Sequence, residues 1–318
     1  MKKKIAVLLP VYNEEKSLKL LKKELILLAK NMSRNFIFEF IWIDDGSTDR
    51  TPQIIDSFKN TNNRVLHFVS NFGKTNAILA GIHASNSDLV AVMDTDLQDN
   101  PKFIEQMVAF LIDHNYDFVI GNRVNRYDSN SIKKLSSYFI ISVIRLFFST
   151  LKVHDVNCGM KVMTSQVAKS IFLKSDYHRY MPLIAHLKGF RIGEIPVEQR
   201  PRKFGVSKYG STGFMRIWKS LSDLLSIIFI FKLAVNPFSF FGKLGLASCA
   251  AGLLILSYLT ILWFYGQPIN SRPLFFLGIL AITTGVNFLS LGLIGELIQL
   301  SNRNFEYSIR ETGSEKIK

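Results

Sequence analysis

A chain of 318 residues, 48% of them hydrophobic, is long enough to bury a sizeable core, and with no repeat or low-complexity tract it excludes a disordered polypeptide. Its 39 Lys and Arg exceed its 25 Asp and Glu, which points to an anionic partner: nucleic acid, lipid or a phosphorylated substrate. Two cysteines, Cys158 and Cys249, exclude a disulfide framework.

The first half alternates strand and helix patterns. "KIAVLLPVY" reads as a strand; its apolar run from Ile5 to Leu9 is too short for a signal peptide and meets "NEE" with no cleavage site. The helix that follows sets Leu18, Leu21, Leu25 and Leu28 on one stripe. "FEFIWID" is a strand, "STDRTPQIIDSF" a capped helix, "RVLHFV" a strand and "GKTNAILAGIHAS" a helix. A fourth strand begins at Leu89, and Asp99, Asn100 and Pro101 cap the helix behind it. This repetition predicts an α/β fold with a doubly wound, mostly parallel sheet. No G-x-G-x-x-G follows the first strand, which argues against a dinucleotide oxidoreductase.

Further on, 131–152 is rich in Ile, Phe and Leu but carries Lys133, Lys134 and Arg145, and from Phe214 the residues Ile217, Trp218, Leu221, Leu224, Leu225 and Ile228 keep helical spacing opposite Arg216, Lys219 and Asp223. Both segments read as helices lying at a membrane interface, with a core helix as the alternative for the second. Leu244–Tyr265 and Leu274–Gly295 contain no charged side chain, and each is long enough to cross about 30 Å of hydrocarbon as a helix. Lys232, Lys243, Arg303, Arg310, Lys316 and Lys318 flank their outer ends, and Gly266–Pro273 between them holds one positive charge, so both termini are expected in the cytoplasm. With two spans, lipid and phosphate are favoured as anionic partners and nucleic acid is not expected. Glu296, at the edge of the second span, reads as an interfacial or packing residue.

The chemistry gathers at strand ends. In "VAVMDTDLQDNP" the period of two puts Asp94 and Asp96 on one side and Thr95 on the other, beyond the carboxyl end of a buried strand, where open α/β sheets bind ligands. With Gln98 they form a hard-oxygen set suited to Mg²⁺ or Mn²⁺ on a diphosphate, although an acid pair alone is equally a solvated turn. Asp44 and Asp45 end the second strand and Pro10, Tyr12 and Glu14 the first, at the same edge, as a nucleotide site would need. His67, His83, His114 and His186 lack ligand spacing, so no zinc is expected. His154 and Asp155, as strand neighbours, would point apart rather than form a dyad.

In order, "LLPVYNEE", "IDDGSTD", "NFGKTNAILAG", "DTDLQDNP", "GNR", "NCGMK" and "RPRKFGVSKYG", followed by two spans, resemble the family 2 glycosyltransferases of GT-A fold that load sugars onto polyprenyl phosphates, the group of dolichol-phosphate mannose synthase and bactoprenol glucosyltransferase. The resemblance implies a cytoplasmic GT-A domain over 1–211, a juxtamembrane amphipathic helix over 212–235, a transmembrane hairpin over 236–300 and a cytoplasmic tail over 301–318, most simply in a bacterial inner membrane. It implies that Pro10, Tyr12, Glu14, Asp44, Lys74 and Asp94 contact the nucleotide, that Asp94, Asp96 and Gln98 hold Mg²⁺ or Mn²⁺, that Arg123, Arg179, Arg200 and Lys208 surround the diphosphate and lipid phosphate, and that Asp155 joins Asp96 as catalytic, in the position of the base. Ser70, Asn100 and "GMK" depart from the family pattern, which touches phosphate contacts and sugar choice more than the reaction class.

The expected reaction is inverting, metal-dependent transfer of a sugar from a UDP- or GDP-linked donor to undecaprenyl or dolichyl phosphate. Alternatives are another membrane-lipid acceptor or a non-catalytic nucleotide-binding scaffold. A homo-oligomer is compatible with the sequence, which does not itself set the oligomeric state.

Overall fold

The computed structural model describes residues 2–124, 142, 144, 151, 153–171, 173–201, 203–204, 213–230, 236–268 and 273–301. Lys208, most of the 131–152 segment and the tail beyond 301 lie outside them.

Seven strands form one sheet in the order β3-β2-β1-β4-β6-β5-β7. The interior strand β1 (Lys3–Val11) has Ile5, Ala6, Val7, Leu8 and Leu9 at 0% exposure, because helices cover both faces and no alternation is required. It pairs in parallel with β2 (Phe36–Asp44) and β4 (Leu89–Val92), and β2 pairs with β3 (Asn63–His67). The helix α1 (Leu18–Asn31) buries the expected Leu18, Leu21, Leu25 and Leu28. On β2 the buried indole of Trp42 donates to Asn63 Oδ1 at 3.0 Å, so its one polar group is satisfied. A short helix α2 (Thr51–Asp56) links β2 to β3. The helix α3 (Lys74–Ala84) approaches closely at Gly81, where a Cβ would stand 3.0 Å from Leu8 and 3.1 Å from Ile43.

The chain winds outward from β1 to β3 and then crosses to β4 on the other side of β1, creating the reversal point at which open α/β sheets bind ligands. After α4 (Lys102–Asp113) come β5 (Phe118–Arg123) and β6 (Lys161–Thr164). Strand β6 runs antiparallel between β4 and β5, Lys161 opposing both Val92 and Ile120. Its beginning therefore lies at the edge where the parallel strands end. Two short helices, α5 (Ser165–Ser170) and α6 (Met181–Leu187), precede β7 (Ile192–Val197), which pairs in parallel with β5.

One compact unit runs through Leu224 and a second starts at Leu225, so α7 (Gly213–Ile228) straddles the boundary. Asp223, expected on the polar face of this helix, is buried, whereas Trp218 and Leu225 are exposed. The second unit is a hairpin of α8 (Pro237–Phe264) and α9 (Pro273–Ser301). Both helices are long and apolar enough to cross a membrane, and only 17% and 11% of their most apolar stretches is buried, unlike core helices of a globular protein. They meet through small residues. A Cβ on Gly245 would lie 2.8 Å from the Gly285 carbonyl oxygen, one on Gly252 2.6 Å from Ile282, and one on Gly285 would run into Cys249. Ser248 Oγ adds an interhelical bond to the Ala281 carbonyl at 2.7 Å.

Side chains at Gly285 should therefore force the helices apart by steps. Gly285→Ala and Gly285→Leu are expected to lower the thermal midpoint of the detergent-purified protein in that order, the leucine costing about 1–3 kcal/mol; wild-type melting of both would show that the contact is loose.

Candidate active site

The loops after β1 and β2 are stitched together before they meet any ligand. Asn13, at φ +51°, donates its N–H to Ser47 Oγ at 2.9 Å and accepts from Thr48 N at 2.8 Å, while Glu14 N donates to Thr51 Oγ1 at 2.9 Å. The Glu14 carboxylate accepts from Ser17 Oγ at 3.0 Å, folding back on the start of α1. Pro10 and Tyr12 are half-buried at this edge, and the Pro10 carbonyl accepts from Thr95 Oγ1 at 3.1 Å, tying the end of β1 to the segment after β4.

Asp44 is buried, with Oδ1 accepting from Ser47 N at 3.0 Å and Oδ2 facing His67 Nδ1 at 3.0 Å. The other ring nitrogen of His67 faces Asp56 at 3.1 Å. Burial pulls the imidazole's pKa down, but the two carboxylates outweigh it and hold the value above the ordinary histidine range. Asp45 accepts from Phe72 N at 2.7 Å and Gly73 N at 3.0 Å; it is a structural clamp on the turn that delivers Lys74, where Gly73 adopts φ +88°.

Beyond β4 the chain turns through Asp94–Asp99. Thr95 is buried and Asp94 and Asp96 are partly exposed, as period two predicts. Leu97, buried at φ +62°, holds a conformation that costs a residue with a Cβ of order 1 kcal/mol and fixes the turn. Gln98 N donates to Asp96 Oδ1 at 3.1 Å and its carbonyl accepts from Arg200 N at 2.8 Å. Lys74 Nζ is paired with Asp94 Oδ1 and, against the effect of burial, keeps that carboxyl below its usual range.

Asp99 is not the helix cap its position suggests. Asn100 Oδ1 takes that part, accepting from Lys102 N at 3.1 Å, while Asp99 is 3% exposed and its Oδ2 has no hydrogen-bond partner among the described residues. Burial, then Asp94 and Asp96, push its pKa to about 7. Lys161 is buried alongside; desolvation, then Lys74, bring it down to about 8, and its ammonium donates to the Cys158 carbonyl.

Arg123, at the end of β5, makes a two-pronged contact with Asp155: Nε to Oδ2 at 2.6 Å and Nη2 to Oδ1 at 3.0 Å. Asp155 is held from behind, its N–H donating to Glu194 Oε1 at 2.9 Å, while the same oxygen accepts from His154 N at 2.8 Å and Glu194 Oε2 meets the His154 ring at 2.7 Å. His154 thus pairs with Glu194, and a His154–Asp155 dyad does not form. Arg179 lies 3.4 Å from Asp176 in a segment docked on α3 by His178 Nδ1 and Thr75 Oγ1 at 2.7 Å. The Arg200 side chain points to Glu24 at 2.7 Å and 2.9 Å, so its backbone rather than its guanidinium meets the acid segment.

The structure thus brings together Lys74, Asp94, Asp96, Gln98, Arg123 and Asp155, with Asp99, Lys161 and Glu194 as additions that motif spacing missed, while His67 is an addition beside Asp44. Among the described residues no three Asp, Glu, His or Cys side chains converge on a point where an ion would sit. The donor set nevertheless fits a hard cation. A Cβ on Gly159 would stand 2.7 Å from the unpartnered Asp99 Oδ2 and 2.9 Å from Asp94 Oδ2, so two carboxylate oxygens face the space that glycine leaves, and Lys74 already supplies positive charge there.

A histidine pKa raised by its partners gives stability that is complete below the ordinary histidine value and fades as pH rises through the raised one. His67→Asn is therefore expected to lower the melting temperature more at pH 6 than at pH 9; an equal loss at both would show that the charge is irrelevant.

Residues 6–172 match the Glycosyl transferase family 2 model. The chain is 33% identical to the dodecaprenyl-phosphate galacturonate synthase of Rhizobium johnstonii, over 92% of this chain and 87% of the relative. It is 29% identical to the undecaprenyl-phosphate 4-deoxy-4-formamido-L-arabinose transferase of Photorhabdus laumondii, over 93% and 89%. Among solved structures it resembles glucosyl-3-phosphoglycerate synthase from Mycobacterium tuberculosis in complex with Mn²⁺, UDP-glucose and phosphoglyceric acid (TM-score 0.54, 19% identity, 70% and 80% of the two chains). The mannosyl-3-phosphoglycerate synthase from Rubrobacter xylanophilus is similar too (TM-score 0.58, 17% identity, 71% and 74%). These two share the fold. With the mostly parallel sheet and the acid segment at its carboxyl edge, the chain belongs to glycosyl transferase family 2 and is a glycosyltransferase of GT-A fold.

Proposed function

We propose that the protein transfers a sugar from a UDP- or GDP-linked donor to a polyprenyl phosphate at the cytoplasmic face of a membrane, with inversion at the anomeric carbon. The observation that carries this reading is the meeting, at one sheet edge, of the acid segment Asp94–Asp99 with the Arg123–Asp155 pair, one side suited to a metal-bound diphosphate and the other to a second phosphate. The polyprenyl-phosphate relatives and the hairpin α8–α9 support the acceptor class. The GT-A neighbour with Mn²⁺ and UDP-glucose supports the donor class and a divalent ion.

In this reading Asp94, Asp96 and Gln98 would hold Mg²⁺ or Mn²⁺, which would supply Lewis-acid stabilisation of the departing diphosphate. Lys74, released from Asp94, turns its ammonium to the phosphates, and Pro10, Tyr12, Glu14 and Asp44 frame the nucleoside. The nucleophile is a phosphate oxygen; a monoester with a second pKa of about 6 is mostly dianionic at neutral pH and needs no base. Asp155 has both oxygens on Arg123, so its part is to aim that guanidinium at the acceptor phosphate: it is a positioning residue. A single backside displacement inverts the sugar. Arg179 and Lys208 are taken to add charge around the phosphates, whereas the Arg200 guanidinium is engaged by Glu24.

Incubating membranes with radiolabelled nucleotide sugars and extracting lipid tests the reaction. Wild type should label polyprenyl phosphate, Asp96→Asn and excess EDTA should abolish the signal, and full labelling in EDTA would overturn the metal assignment. Asp155→Asn should cut turnover by about 10²-fold, as expected when a phosphate-aiming group is misplaced, with nucleoside diphosphate affinity unchanged. Gly159→Ala should do the reverse and weaken Mn²⁺-dependent nucleotide binding by about tenfold, the cost of overpacking the acid pocket. Calorimetry on both variants decides between these roles.

A further inference from the structure

The helix α9 carries two heptad-spaced stripes on opposite sides. Gly278, Ile282, Gly285 and Leu289 face α8. On the other side Leu280, Thr283, Asn287, Ser290 and Ile294 follow one another at alternating steps of three and four residues and are all exposed. A helix needs one such stripe to pair with its hairpin partner; the second is left over.

The centre of that second stripe is polar. Thr283 Oγ1 returns to the carbonyls of Ile279 at 3.1 Å and Leu280 at 3.0 Å, and Ser290 Oγ to that of Val286 at 3.0 Å, so both hydroxyls are satisfied within the helix. Asn287 makes no hydrogen bond to any described residue. It stands fourteen residues after Pro273 and twelve before Gln299 in the candidate span, so about 18–21 Å of helix extends on either side and no headgroup is within reach. An amide exposed at that depth is costly until it finds a partner.

We infer that the Asn287 face of α9 is the contact for a second copy of this chain, in a parallel dimer whose two-fold axis is normal to the membrane. Two copies insert with the same orientation, so their Asn287 amides lie at equal depth, and an amide both donates and accepts, making the pair self-complementary. The small Thr283 and Ser290 above and below let the helices approach, and Leu280 and Ile294 close the seam. A single asparagine in an otherwise apolar stripe also fixes register. This inference rests on α8 and α9 crossing the bilayer, not on the sugar or acceptor assigned above.

The test uses the full chain in native membranes and in vesicles of phosphatidylethanolamine and phosphatidylglycerol. Resistance to carbonate extraction checks the spanning reading separately. Asn287→Cys should form an oxidant-induced dimer of twice the chain mass, whereas Leu293→Cys, 55% exposed on a different face, should not. By fluorescence transfer between labelled copies, Asn287→Leu should weaken self-association by about tenfold and Asn287→Gln by much less. Equal cross-linking at both positions, a cross-linked species of another mass, or unchanged association of Asn287→Leu would each overturn the proposal.

Discussion

Three carboxylates within six residues, Asp94, Asp96 and Asp99, stay together at one sheet edge because cations surround them: Lys74 on Asp94, Lys161 from the neighbouring strand β6 and Arg123 from β5 beyond it. Without them, like charges at such separation would drive the segment outward. The compensation is incomplete by design of the packing. Among the described residues Asp99 keeps one oxygen unpartnered and is pushed toward the protonated form, while Lys161 is pushed toward the neutral form, so the site carries fewer charges than its side chains suggest with the same net balance.

The sheet topology supplies these cations. Parallel strands alone deliver their last residues to the edge: Val11, Asp44, the segment after Val92, and Arg123. The antiparallel β6 delivers its first residues instead, and so places Asp155, Gly159 and Lys161 where the others end. Glu194 on β7 then holds the backbone of His154 and Asp155, which fixes the carboxylate that grips Arg123. Removing any one of these acids would leave Arg123 or a backbone pair without its partner, a heavier penalty than the bond's own net worth.

Elements with a clear period were legible in the sequence: the leucines of α1, the run in β1 and the two long apolar helices all lie where spacing put them. Strand ends carrying acids were legible for the same reason, since period two fixes which side chains share a face. Asp99 was not, because a helix-capping position and a buried carboxylate look alike until the partners are known; Asn100 made the cap and left Asp99 to the interior. Glu194 and His67 act through contacts to residues 40 and 23 positions away, which no local pattern encodes. Arg200 shows the converse: a cation beside a basic loop read as a phosphate ligand, yet its guanidinium meets Glu24, 176 positions earlier.

Under the proposed function the Lys74–Asp94 pair would link these features to turnover. Breaking a partly buried ion pair by withdrawing one member strands the other charge, so Lys74 leaves Asp94 easily only when something else neutralises that carboxylate. The freed ammonium, in turn, is costly unless an anion receives it. Under the proposed function a cation alone would relieve only the first cost and an anion alone only the second, whereas cation and diphosphate arriving as one complex would relieve both. Binding of the two would thereby be coupled through a single side chain at the start of α3, whose approach is set by the Asp45 clamp and the Gly73 turn. In the proposed reaction the donor complex, rather than free nucleotide, would open the acid segment, and the Arg123–Asp155 pair would stay closed until the acceptor phosphate came.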